Sequence, residues 1–367
     1  MSIKKVMFHI NSLEKGGAER VVTVLAGQMA AAGIDVSIAT EWTGKKEYSL
    51  PEGVRRLDAG LSSKQESLKR LGKIRARKDN LKKLLLKEKP DVLFAFCRNA
   101  NYRAVMAADK TGIPVIVSVR NDPKVYYASV YQKLLSEKLY SKAAGIVFQT
   151  EEAADFFPEK IRKKSRVIMN PVSPKYLKVT APEKRRPVIA NAARFAYAKD
   201  HMTLVKGFEL VLKKHPEYTL ELYGDRSEDN EIHQVKEWVK GHKLDEKILF
   251  MGNVQDLEKR LSDISVFVLS SVYEGMPNAL MEAMAMGIPS VSSDCPCGGP
   301  ASLIDDGYSG LLFTPGDERE LCTAVTKLIE NPGKAEELGR HGAEKMRECT
   351  PEKIAAIWLE YAEKVIR

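Results

Sequence analysis

The first chemistry-bearing pair in this chain is two carboxylates at a fixed interval. Glu274 and Glu282 sit in the stretch EGMPNALMEAMAMGIP, residues 274–289, with Pro277 and Asn278 between them. Gly and Pro punctuate residues 274–278, which reads as a loop. Good helix formers follow from Ala279 to Met286, with Asn278 as the expected N-cap and Gly287 with Pro289 as the expected stop. One glutamate therefore precedes a helix and the other lies inside it. The free N–H groups and positive dipole end of that helix suit a phosphate. Carboxylates do not bind phosphate, so Glu274 and Glu282 must serve another part of the same ligand. Nothing in the sequence places the two about a scissile bond, as a glycosidase acid/base pair would require.

Other positions add positive charge and close backbone approach. Arg194 follows an expected strand, and Lys199 comes five residues later in RFAYAKD. The planar fork of Arg and the mobile point charge of Lys in one loop suit a diphosphate, although any basic loop also looks like this. Gly224 closes one expected strand and Gly252-Asn253-Val254 another. These turns either let a planar base lie against backbone or are ordinary turns. Lys15-Gly16-Gly17-Ala18 follows the first expected strand and opens a helix, so its backbone could approach a phosphate. It is not a GxGxxG loop. Glu41 stands near the place of a dinucleotide's ribose ligand, but the glycine pattern gives it no support. There is no GxxxxGK[ST] loop and no Asp-x-Asp. The missing Asp-x-Asp argues against a nucleotide diphosphate held through a divalent metal. Leaving-group charge would then fall to Arg, Lys and helix dipoles. The five cysteines suggest no disulfide framework, and Cys295-Pro296-Cys297 lacks a metal-type spacing.

The elements that must position these residues alternate strand and helix, which predicts α/β architecture with parallel sheets. Strands are expected near 4–10, 35–40, 91–96, 114–119 and 145–149, with helices near 18–32, 66–88, 99–110 and 124–142. Residues 170–187 are Pro-rich, charged and weakly periodic, and read as a linker. The alternation then restarts, with strands near 188–193, 218–223, 247–251, 265–270, 289–292 and 310–313. Helices are expected near 201–213, 230–240, 255–262, 278–287, 317–348 and 351–366. The 367 residues, 44% hydrophobic and 29% charged, suit two soluble domains, and a cleft between two Rossmann-like domains is a common ligand site. No run of 18 apolar residues occurs, and the first apolar run reads as a strand rather than a signal peptide.

The net charge of +9 is concentrated in KQESLKRLGKIRARKDNLKKLLLKEK, residues 64–89, where 11 Lys/Arg face 3 Asp/Glu. Leu68, Leu71, Ile74, Leu81, Leu84 and Leu85 recur there at helical spacing. A basic amphipathic helix suits an anionic membrane surface; it also suits a core-facing helix with a solvated basic face, or a partner subunit. No nucleic-acid motif accompanies the charge, so no nucleic acid is expected.

The ordered set of motifs resembles the retaining glycosyltransferases of family 4, with the GT-B fold of two Rossmann-like domains facing across a cleft. EGMPNALMEAMAMGIP is similar to the family's Glu-x7-Glu motif. GGAER at 16–20, Asn170-Pro171-Val172, Arg194 with Lys199, and DDGYSGLLFTPGD at 305–317 match in order over about 300 residues. The resemblance implies an acceptor domain over 1–170, a linker over 171–187, a donor domain over 188–350, and a last helix, 351–367, crossing back to the first domain. It implies that Glu274 hydrogen-bonds donor-sugar hydroxyls and Glu282 the ribose, with backbone N–H groups near Asn278, Ala279 and Leu280 holding the phosphates between, and Gly275 and Met276 among the donor-binding residues. Gly17, Gly224, Asn253 and Val254 complete the donor set, and Arg194 and Lys199 face the departing diphosphate. Three departures stand out. Ala193 and Asp200 replace glycines, Gly224-Asp225-Arg226 replaces Gly-Asp-Gly, and no His follows the strand ending near 119. Arg120 falls closest to that His, and with Asn121 and Arg98 it is a candidate for sugar or acceptor contact.

The expected activity is transfer of a hexose or N-acetylhexosamine from a nucleotide-diphosphate sugar, UDP-linked, to a glycan or lipid-diphosphate-linked glycan, with no metal or other cofactor. Such members often build capsule, exopolysaccharide or O-antigen units on a lipid-diphosphate carrier, and this chain is expected in the cytoplasm, peripheral on the inner face of the plasma membrane. Two other readings stay open: a non-hydrolysing UDP-N-acetylglucosamine epimerase-like enzyme, and a non-catalytic GT-B partner subunit.

Overall fold

The computed structural model of the chain describes residues 3–14, 16–180, 182–224 and 230–366. Lys15, Ala181, Asp225 and Arg226, which figure in the sequence reading, lie outside the described residues. The chain divides into two compact units, Met1–Pro171 with Pro351–Arg367, and Val172–Thr350.

The first unit is built on a sheet of β1 (Lys5–His9), β2 (Asp35–Thr40), β3 (Val54–Asp58), β4 (Val92–Phe96), β5 (Val115–Ser118), β6 (Gly145–Phe148) and β7 (Ser165–Val167), in the order β3-β2-β1-β4-β5-β6-β7. Every pairing is parallel. β4, VLFAF, is buried at each residue, as a strand covered on both faces requires. Phe8, Phe94 and Phe96 form its aromatic centre. Trp358, from the helix Pro351–Val365, meets Phe94 edge-on at 5.2 Å and stacks on Phe96 at 5.3 Å. Tyr361 of the same helix accepts a hydrogen bond from Ile146 N (2.8 Å). The last helix thus completes the core of the first unit, although the whole second unit intervenes in sequence.

β3 and β7 are the strands the sequence does not announce. Both are edge strands, and VRRLD and SRV carry the charge and short length by which edges avoid further pairing. The basic segment also differs from expectation. A short turn, Ser63–Glu66, precedes the helix Arg70–Glu88. Only Leu81 and Leu85 of its leucine stripe are fully buried, while Leu71 is 81% exposed.

The second unit carries β8 (Arg186–Ala192), β9 (Thr219–Tyr223), β10 (Ile248–Gly252), β11 (Ile264–Leu269), β12 (Ser290–Ser293) and β13 (Leu311–Phe313), ordered β10-β9-β8-β11-β12-β13 and all parallel. The expected linker is not featureless: it holds the short helix Pro174–Leu177 and the start of β8. The expected helix over 317–348 is two, Glu318–Glu330 and Pro332–Met346, because Pro332 lacks an N–H and opens a new helix rather than continuing the old one.

Candidate functional site

Strand order reverses in the second sheet between β8 and β11, so the crevice beyond their carboxyl ends is where an open α/β sheet receives a ligand. Arg194 and Lys199 follow β8. Ser271, Glu274 and the helix Asn278–Ala285 follow β11. The structure brings Lys199 and Glu274 together as an ion pair between the two loops. Ser271 Oγ donates to the same carboxylate oxygen of Glu274 (2.8 Å). Backbone ties hold the loops in place: Val272 N donates to Ala198 O (2.9 Å), and Ser270 Oγ to the carbonyls of Lys199 (3.0 Å) and Asp200 (2.9 Å). Arg194 is exposed and makes no side-chain hydrogen bond or ion pair among the described residues.

Asp200, where the resembled family has glycine, adopts a left-handed conformation with φ 44°. Asp tolerates this region better than most residues, and here its side chain caps the helix His201–Leu212. Its carboxylate accepts from Thr203 N (3.1 Å) and Thr203 Oγ1 (2.6 Å). The departure therefore keeps the turn after Lys199 rather than destroying it. His201 stacks on Phe195 at 4.1 Å, and neither ring nitrogen has a hydrogen-bond partner among the described residues. Burial first, and the Lys199 charge second, push its pKa down to about 3, so it is neutral at pH 7.

A third segment braces Glu274. Glu274 N donates to Pro296 O (2.7 Å), and Cys297 N donates back to Glu274 O (3.0 Å). A Cβ at Gly299 would lie 1.7 Å from Gly275 O, so only glycine lets this segment approach. Burial and then the Glu274 charge raise the Cys295 thiol to about 12, which keeps it protonated. Gly224 plays the same part on the other side. It has φ 152°, and a Cβ there would lie 1.9 Å from Ala193 O, next to Arg194. Gly299 and Cys297 do not stand out as site residues in the sequence, because their contacts join backbone segments more than 20 residues apart, and Ser271 touches Glu274 three residues on with no motif to mark it.

The helix after the loop starts one residue off expectation. Pro277 occupies the N-cap and Asn278 is already helical. Its first internal bond runs from Met281 N to Pro277 O (3.1 Å), so the N–H groups of Asn278, Ala279 and Leu280 precede the ladder. Glu282 is buried within this helix, Gly275 and Met276 are buried in the loop, and the helix stops at Gly287 as expected. Asn253 is exposed and Val254 half-buried beyond β10.

In the first unit, Gly17 opens the helix Gly17–Ala31 just beyond β1. Arg120, beyond β5, is buried: it donates to Asn170 Oδ1 and lies 5.3 Å over the Phe96 ring. Burial lowers its pKa to about 10, still charged at pH 7, and its Nε has no hydrogen-bond partner among the described residues. Asn121 is exposed; Arg98 donates to Tyr126 O and lies 5.9 Å over the Tyr126 ring. The Glu41 side chain is buried and paired with Arg77 (3.4 Å) and Arg103, with the neutral His9 ring 3.4 Å away. It ties the helices Arg70–Glu88 and Arg98–Ala108 to the end of β2.

Comparison with known proteins matches both units. Residues 15–176 match Glycosyltransferase Family 4, and residues 186–331 match Glycosyl transferases group 1. The chain is 29% identical over 170 residues to the lipopolysaccharide 1,6-galactosyltransferase of Salmonella typhimurium, 44% of this chain and 45% of that protein. It is 25% identical over 344 residues to an N-acetylgalactosamine-N,N'-diacetylbacillosaminyl-diphospho-undecaprenol 4-alpha-N-acetylgalactosaminyltransferase of Campylobacter jejuni, 90% of this chain and 91% of that one. Among solved structures, Anabaena HepE in complex with UDP and glucose superposes with a TM-score of 0.84 at 17% identity, over 98% of this chain and 100% of that one.

Proposed function

We propose that the chain, a glycosyltransferase with the GT-B fold, transfers a hexose or N-acetylhexosamine from a UDP-linked sugar to a hydroxyl of a glycan or lipid-linked glycan in cell-surface polysaccharide synthesis. The observation that carries this reading is the Lys199–Glu274 pair at the β8/β11 reversal, with Arg194 open to solvent on the loop that carries Lys199. A nucleotide sugar has an anionic diphosphate joined to a neutral, hydroxyl-rich ring. Lys199 and Arg194 face the diphosphate, with the N–H groups of Asn278, Ala279 and Leu280. Glu274 accepts from the sugar hydroxyls and Glu282 from the ribose. The diphospho-undecaprenol substrate for which the Campylobacter relative is named supports a lipid-diphosphate-borne acceptor. The UDP bound to HepE supports UDP as the nucleotide.

The reaction retains anomeric configuration and uses no metal. The acceptor hydroxyl attacks the anomeric carbon on the leaving-group face while the C–O bond to UDP breaks, and the diphosphate takes the hydroxyl proton. Arg194, Lys199 and the helix dipole stabilise the developing negative charge. The site lies on a protein held at the inner face of the plasma membrane, with the basic segment 64–89 attracted to anionic headgroups.

The test is a thermal shift with UDP, GDP and ADP in EDTA, followed by assay of UDP release. A ligand at a hundred times its Kd adds about 2.7 kcal/mol. The expected result is a shift with UDP that Glu282→Ala abolishes, and UDP release that depends on added acceptor. No shift with any nucleotide would overturn the donor-site reading in favour of a non-catalytic partner subunit.

A further inference from the structure

Five of the large apolar side chains left exposed fall within ten residues of one another: Val125, Tyr126, Val130, Tyr131 and Leu134. Val130, Tyr131 and Leu134 are 75%, 73% and 59% exposed, on the first turns of the helix Val130–Tyr140. That helix is amphipathic in reverse of the usual need. Its inner face, Leu139 and Tyr140, is already buried on the unit, so the outer apolar strip is surplus to folding. The surrounding charge is mainly positive, although Lys124 is paired with Glu152 (3.2 Å). Residues 123–142 hold Lys124, Lys133, Lys138 and Lys142 against Glu137 alone. The helix Arg98–Ala108 packs against this helix and also against the basic helix Arg70–Glu88, so the three form one continuous layer.

The two outer helices differ in what they offer. In the basic helix and the turn before it, four cations are paired, Lys73 with Glu66, Arg75 and Lys78 with Asp79, and Arg77 with Glu41, and the exposed apolar groups Leu68, Leu71, Ile74 and Leu86 are spread from 68 to 86. On Val130–Tyr140 the protruding groups are two aliphatic chains and a tyrosine, flanked by lysine. That is the composition of an interfacial helix, with an apolar edge to enter the acyl boundary, an aromatic ring at headgroup depth and cations for anionic lipid.

We infer that the strip Val125–Leu134 is the surface by which the first unit docks on an anionic lipid bilayer, the basic helix Arg70–Glu88 supplying long-range attraction. This deepens the proposed function and rests on its lipid-borne acceptor. Pro123–Tyr126 directly follows the end of β5, and Arg98 is bonded to Tyr126, so the docked strip adjoins the candidate acceptor contacts Arg98 and Arg120.

The test is sedimentation of the full chain with phosphatidylglycerol/phosphatidylcholine vesicles and with phosphatidylcholine alone, with no acceptor present. The wild type should bind the anionic vesicles and not the neutral ones. The triple variant Val130→Ser, Tyr131→Ser, Leu134→Ser should bind about tenfold or more weakly. Its UDP thermal shift and its melting temperature should stay unchanged, which separates failure of docking from failure of the donor site. Lys133→Gln with Lys138→Gln should weaken binding at low salt, and the difference from wild type should shrink as salt is raised. Three outcomes overturn the inference. One is loss of binding in Leu71→Ser/Ile74→Ser with the triple variant unaffected. Another is equal binding to neutral vesicles. The third is a wild-type dimer by light scattering that the triple variant dissociates, without any vesicle binding.

Discussion

Beyond β5 of the first unit, Arg120 is buried against Phe96 and bonded to Asn170; beyond β8 of the second, Arg194 is exposed without a side-chain partner among the described residues. Glu41, just past β2, is enclosed by His9, Arg77 and Arg103. Glu274, just past β11, is instead held by one lysine, one serine and reciprocal backbone bonds. The two sheets have the same parallel architecture and a strand-order reversal each, yet they use charge differently. Near the first reversal, the Glu41 charge fastens helices to the sheet. At the second, charge is positioned and left reachable. A reachable cation stabilises a ligand's charge, whereas an enclosed ion pair has its field already answered.

The largest effect that could break this contrast is on stability. Glu41→Gln leaves Arg77 and Arg103 without their shared carboxylate and should destabilise the protein by about 3 kcal/mol, read by urea denaturation, with UDP binding intact. A stable Glu41→Gln variant would mean that the buried cluster is not what holds those helices. In the second unit the expectation reverses. Arg194→Ala and Lys199→Ala should lower kcat by roughly a hundredfold or more, about 3 kcal/mol in barrier, while the melting temperature barely moves. Full turnover by both would remove the assignment of this edge to diphosphate.

A smaller effect sharpens the comparison by touching no charge. Gly299→Ala would put a methyl group into Gly275 O, displacing the loop that presents Glu274. Overpacking of this kind typically costs about 1–3 kcal/mol, and here kcat should fall more than UDP affinity. Equal loss of both would show a general unfolding rather than a displaced carboxylate. The smallest effect concerns a feature that the two edges share. His9 and His201 are both buried, with pKa values lowered from 6.5 to about 3. The unfolded chain binds protons in that window that the fold refuses, so stability is lost as pH falls from 6.5 toward 3. His201→Leu should leave stability at pH 7 nearly unchanged and flatten that acid-side slope by up to about 1.4 kcal/mol per pH unit, measured by denaturation at several pH values.

Much of this was legible in the residues. β4 and β11 announce themselves as apolar runs, and EGMPNALMEAMAMGIP gives its loop, its helix and its stop, with the N-cap off by one residue. The edge strands β3 and β7 were not legible, because solvent-facing strands carry no hydrophobic period. The break at Pro332 was visible as a proline but was outweighed by the helical pattern on either side. Arg120 shows the limit most clearly. Its type predicts a surface residue, and only packing against Phe96 and Asn170 makes it a buried one.

The sequence by itself determined the α/β alternation, the glycosyltransferase motifs and which residues could carry charge, because periodicity and turn chemistry are local properties of the chain. Tertiary structure alone decided which of those charges meet. Lys199 and Glu274 are 75 residues apart and pair because parallel β8 and β11 end side by side. Gly299 matters to Glu274 only because the segment after β12 passes within contact of Gly275. Val130, Tyr131 and Leu134 read as ordinary helix residues, and it is the packing of the opposite helix face that leaves them in water. Burial and proximity come from the way strands are ordered in a sheet, and no local pattern contains that order.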